Sequence, residues 1–184
     1  MHWVDPGTES AWMSIHTPYA DFFLERIKKI AVTGVDGVWL DVPLFNDIGT
    51  AWADMGPGSA AKFRADTGFD IPKREDWNDP VWRRWISWRY QDISNFIFRI
   101  RDMAQSVAKD IVIVVETVTI DYAAATQLGL DGSLMKSTPG IIQAWEIDAV
   151  SDKTGMREAR PDDWISLIGM FKFAKAASDR TSVV

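Results

Sequence analysis

Read from the N-terminus, the chain alternates between segments with apolar residues at every third or fourth position and short continuous apolar runs. Thr17-Pro18 opens the first helix, with Thr as N-cap and Pro at the first helical position. Tyr19, Phe22, Phe23, Ile27 and Ile30 then keep helical spacing, with Arg26 as a polar exception, until Thr33-Gly34 closes the helix. Val35–Leu40 reads as a strand. The pattern then breaks into a long loop insertion at 46–79, with one short helix between Ser59 and Asp66. Trp52, Phe63, Phe69 and Trp77 give that insertion too much aromatic surface for a solvated, disordered segment.

Pro80 begins the longest helix, with Asp79 as its N-cap. Trp82, Trp85, Ile86, Ile93, Phe96, Ile97, Ile100, Met103 and Val107 form its apolar face, and Arg89 is assigned to the polar flank in a structural role. Ile111–Val115 is a run of five β-branched residues, as in a strand buried on both faces. A shorter helix over Asp121–Leu128 ends at Gly129, and a strand follows over Ile141–Ile147. The last helix opens at "RPDDW", with Trp164, Ile165, Ile168 and Phe171 on its inner face, and "TSVV" begins a further strand. "GVDG" at 34–37 and "GLDG" at 129–132 echo one another, each where a helix gives way to the next strand.

This alternation implies parallel βαβ units and an α/β fold. A closed (β/α)8 barrel takes about 200–250 residues. Three strands and the start of a fourth, with "HWV" at 2–4 as a candidate fifth, make roughly half of one. The expectation is a single domain over 1–184: a partial or truncated (β/α)8 TIM barrel, or a fragment of one. A small doubly wound sheet is the competing fold.

Composition narrows the function. The net charge of −6 gives a nucleic-acid or anionic-membrane partner no electrostatic support, and no apolar run reaches the roughly 18 residues of a membrane span. The absence of Cys excludes disulfides, thiolate metal sites and a Cys nucleophile. No Walker or dinucleotide-type glycine loop and no GxSxG elbow occurs, and no cofactor is expected. His2 and His16 share a segment with Asp5 and Glu9, but at no zinc-binding spacing. Ten Trp residues suggest a Trp-rich core with a few indoles left as platforms for flat ligand faces such as sugar rings.

Three strands end on acids: Asp41 after "VDGVWL", Glu116 after "IVIVV", and Glu146 in "IIQAWEI", with Asp148 two positions further on. In parallel α/β architectures the C-terminal strand ends form one rim, where barrel enzymes hold their chemistry. Acids after strands also begin loops and cap helices. Glu116, which no helix follows directly, fits capping less well. Paired carboxylates are the apparatus of glycoside hydrolysis, one as nucleophile or base and the other as proton donor. Mg²⁺ held by Asp41 and Glu116, for lyase or hydrolase chemistry, is the main alternative.

"WVDPGTE", "GVDGVWLDVPLF", "FRADTGFDIP…DWNDPVWRRWISWR", "VVET" and "AWEIDA" together resemble the middle of TIM-barrel glycoside hydrolases. The likeness is to barrels related to the family-42 β-galactosidase and α-L-fucosidase types. It implies Asp41 as nucleophile or base, Glu116 as general acid/base, and Glu146 as a second candidate for either. Trp39 shares parity with Asp41 and would face the barrel interior with it. Trp52 and Trp77 would stack sugars, and Trp145, of opposite parity to Glu146, would be core. The chain departs from α-amylase-type barrels in carrying Trp39 where they have Arg, and from the retaining β-glycosidase clan in carrying Leu40-Asp41 where they have Asn-Glu. The partners implied are a carbohydrate substrate and either a second copy of the chain or the missing remainder of a barrel.

Overall fold

The computed structural model describes residues 2–3, 11–41, 43, 45, 51–118, 126–129, 131–146, 151–152, 155–156, 160–178 and 181–183. Its order is β1 (His2–Trp3), β2 (Ala11–Trp12), α1 (Tyr19–Ala31), β3 (Gly37–Leu40), α2 (Pro57–Thr67), α3 (Pro80–Gln105) and β4 (Val112–Val118). A 3₁₀ turn (Gly132–Met135), β5 (Ile141–Glu146), β6 (Ser151–Asp152), β7 (Gly155–Met156), α4 (Pro161–Ala177) and β8 (Thr181–Val183) follow. The central sheet is parallel throughout, in the order β3-β4-β5-β8. Strands thus lie side by side in chain order, joined by helical crossovers, and the architecture is α/β. His2 and Trp3 of the N-terminal "HWV" segment stay out of this sheet: β1 pairs antiparallel with β2.

Local chemistry explains most boundaries. Asp79 accepts a hydrogen bond from the Val81 N–H at 2.8 Å and Pro80 takes the first turn, so α3 is capped as its sequence indicates. Gly34 and Gly129, the first residues of the two echoed motifs, have φ of 84° and 72°, the left-handed conformation that glycine adopts without a Cβ clash. The expected helix over Asp121–Leu128 lies partly outside the described residues, and 126–128 are helical.

Alternation along the strands divides the sheet. Val38 and Leu40, Ile113 and Val115, and Ile141 and Trp145 are buried against the helices. Leu24, Ile27 and Ala31 of α1 and Ile93, Ile97, Ile100 and Ala104 of α3 complete that core. Two expected faces are displaced. On α1 the buried stripe is Ala20, Leu24, Ile27 and Ala31, while Phe22 and Ile30 are exposed. On α4, Trp164, Ile165, Ile168 and Phe171 are exposed rather than inward, and Ala174 is the buried residue. Trp145 is core as expected, its ring edge-on to Phe173 of α4 at 5.6 Å.

Helix α3 outruns the sheet. Its 26 residues span about 39 Å, against about 23 Å for the seven residues of β4. The surplus N-terminal turns carry a second cluster, in which Trp82, Trp85 and Ile86 pack with Ala51 and Phe63 of the long insertion. Arg89 lies between the two clusters. It is fully buried, not on a polar flank.

Candidate active site at the strand ends

The face of the sheet turned away from the helices carries Trp39 and Glu116. Trp39 pairs in register with Val114, and Leu40 with Val115, so Trp39, Val114 and Glu116 share that face. The Trp39 indole Nε1–H donates to Glu116 Oε2 at 2.6 Å, joining two strands through residues 77 positions apart in the chain. Trp39 is 47% exposed, so its ring stays open to solvent while its N–H is engaged.

Asp41 is exposed and follows β3 directly. Continuing the Leu40–Val115 register by one step sets Asp41 beside Glu116, on strands about 4.8 Å apart. Strand β4 runs on to Val118, so Glu116 lies within the strand rather than at its end. Its neighbour Thr117 points the other way, is buried, and donates to the Ala144 carbonyl at 3.2 Å. Glu146 is the last residue of β5, in register with Val118. Its side chain and all of Asp148 lie outside the described residues.

Trp52 and Trp77 belong to a different neighbourhood. Both rings pack on Trp82, at 5.0 Å and 5.9 Å between centroids. Trp82 lies about 16 Å along α3 from Ile93, where the sheet core begins. The Trp52 Nε1–H is held by the Pro72 carbonyl at 2.7 Å, and Trp77 by Glu75 at 2.8 Å. Trp52 lines an open groove of about 420 Å³ with Met55, Ala60, Ile71, Pro72 and Lys73. The structure therefore joins Trp39 to Glu116 and keeps Trp52 and Trp77 with the insertion.

His16 has a role that spacing alone did not reveal. Its Nε2 lies 2.7 Å from Asp92 Oδ2, and its ring stacks on Trp88 at 5.7 Å. The pair lines a cleft of about 210 Å³ with Lys62, Asp66 and Arg99. Hydrogen bonds from Lys62 and then from Trp88 hold the Asp66 carboxyl below its ordinary value of 3.8. This polar seam ties the segment before α1 to α2 and α3. Arg89 falls at helical spacing between Ile86 and Ile93, on the apolar stripe, and that spacing is the sequence signal of its burial.

No family model matches the chain, and no curated protein matches it. A solved structure does match, the glycoside hydrolase domain of PgaB (BpsB) from Bordetella bronchiseptica, with a TM-score of 0.57 at 11% sequence identity. The fold resembles that of a glycoside hydrolase domain. The likeness covers 98% of this chain and 62% of that one, so the chain spans less than two thirds of that domain.

Proposed function

We propose that the rim formed by the C-terminal ends of β3, β4 and β5 is the carbohydrate site of a glycoside hydrolase built on part of a (β/α)8 barrel. The observation that carries this reading is the Trp39–Glu116 pair on the open face of the sheet, with Asp41 one step past it. Two carboxylates on adjacent strands, one of them oriented by an indole donor, suit the acid and nucleophile roles of glycosidic cleavage. Asp41 is the nucleophile or base and Glu116 the acid/base, with Glu146 a second candidate for either. Trp39 orients Glu116 and offers its exposed ring to a sugar face. Asp148, two positions past Glu146 in the sequence, is a further substrate-binding candidate, while Trp52 and Trp77 serve an outlying part of a long substrate. The neighbour's printed description as a glycoside hydrolase domain supports the substrate class.

The test is turnover of a panel of aryl glycosides and polysaccharides by the full-length protein and by its Asp41→Asn and Glu116→Gln variants. Each variant is expected to lose about 10²–10⁴-fold in kcat with the fold retained. Wild-type turnover by either variant removes that residue from the mechanism. Turnover that requires added Mg²⁺ would move the assignment to a metal-assisted lyase or hydrolase. Sugar binding without turnover would leave a carbohydrate-binding or structural half-barrel, a reading favoured by the exposed apolar residues of α4.

A further inference from the structure

The geometry points to Arg89 as the positioning residue of the rim, a clasp that fixes the segments following β3 and β4 relative to one another. This rests on the reading of that rim as the site. Arg89 leaves the middle of α3 and is fully buried. Its Nη1 donates to the Ala51 carbonyl at 2.6 Å and to the Thr126 carbonyl at 3.2 Å, and its Nη2 to the Gln127 carbonyl at 2.7 Å. Ala51 lies on the segment that follows Asp41, and Thr126 and Gln127 on the segment that follows Glu116.

The surroundings are built for this one side chain. The guanidinium carbon sits 4.2 Å from the centre of the Phe45 ring. The Phe45 N–H in turn donates to the Leu128 carbonyl at 3.0 Å, so the two segments also touch directly beneath the clasp. Gly129 packs so closely on Phe45 that a Cβ there would come within 2.6 Å of the ring. The Trp85 Nε1–H shares the Ala51 carbonyl at 2.9 Å.

Burying a guanidinium is unfavourable, and burial pushes its pKa down to about 10, still far enough above neutrality to keep it charged. An apolar side chain of similar volume would pack the junction between helix and loops without that penalty. It could not bond three carbonyls on two segments. The planar fork of arginine can, and the single ammonium of lysine cannot span the same set.

The test compares Arg89→Lys and Arg89→Met with the wild type by residue-resolved hydrogen exchange and by steady-state kinetics. The Phe45 amide is expected to exchange at least tenfold faster in both variants, with Ile113–Val115 of β4 and Leu24–Ala31 of α1 still protected. In the same variants kcat should fall about 100-fold with KM nearly unchanged, the size of effect that a displacement of about 1 Å produces. Phe45→Leu, which removes the ring under the guanidinium and no charge, should reproduce the exchange pattern if the arginine variants fail to fold. Unchanged Phe45 exchange overturns the proposal. So does a uniform loss of protection that includes α1, because Arg89 would then be holding the whole fold. The expected exchange pattern in a protein without glycosidase turnover would keep the clasp and remove only the hydrolase reading.

Discussion

The residue that most defines the rim is Trp39. A tryptophan on the open face of a strand could be a packing residue, but half of this one is exposed and its N–H is committed to a carboxylate. Trp39→Phe keeps an aromatic ring and deletes the donor. Glu116 then loses the donor that orients it, and kcat/KM should fall by roughly 10–100-fold, the scale of effect that misplacing a reacting group produces. The pair is open to water, and the denaturation midpoint should barely move. An unfolding curve recorded beside the kinetics separates the two effects. Equal loss of stability and activity would make Trp39 a packing residue. This pairing was half legible in the sequence. Alternation placed Trp39 and Asp41 on one face, but the 77-position span to Glu116 depends on strand register, which no local pattern encodes.

At the scale of elements, the signals that held were those with a local physical cause. Asp79-Pro80 caps α3 because a carboxylate and a residue without an N–H suit a helix start. Gly34 and Gly129 adopt left-handed backbone at helix ends. Gly129→Ala should therefore lower stability by about 1–3 kcal/mol, combining a positive φ with a Cβ against the Phe45 ring. Chemical denaturation checks this, and Gly34→Ala is the control: it has the same backbone cost, but open space where the Cβ would go. The signals that failed were those that needed a partner surface. On α1 the large residues Phe22 and Ile30 are exposed, and the smaller Ala20 and Ala31 lie where the helix approaches its neighbours. On α4 the 3–4 spacing of Trp164, Ile165, Ile168 and Phe171 marks a stripe, but apolar residues also occupy the other sides, and Ala174 is the residue that is buried. The charge of Arg89 points to solvent, but its position on the 3–4 spacing puts it on the stripe that is buried.

For the whole molecule, α4 is the most consequential element. Trp164, Ile165, Ile168 and Phe171 are all exposed on one side of the helix, an apolar surface of the kind that marks an interaction site. The chain at high concentration should self-associate, with a weight-average mass that rises with concentration in sedimentation equilibrium. Ile165→Glu combined with Ile168→Glu should return it to a monomer without shifting its thermal midpoint by more than about 2 °C, because neither side chain is buried. A mass independent of concentration in the unmodified chain would show that the cluster is tolerated alone. Among the described residues β3 and β8 are the edge strands of the parallel sheet, where backbone groups are open to pairing.

The Trp39–Glu116 hydrogen bond also constrains how the chain reaches its native state. Closing a loop of 77 positions carries an entropic cost that grows with the logarithm of its length, and nothing is gained from strand pairing until α3 has formed and turned the chain back. Helix α3, capped at Asp79 and held by contacts close in sequence, can form early, whereas the β3–β4 ladder must wait for it. Loop closure of this length predicts that the rim forms late in folding, with low φ-values at Trp39 and Glu116 and higher ones in α3. Until then Glu116 and Asp41 belong to separate, independently fluctuating pieces of chain, and any chemistry they share begins only when that long loop closes.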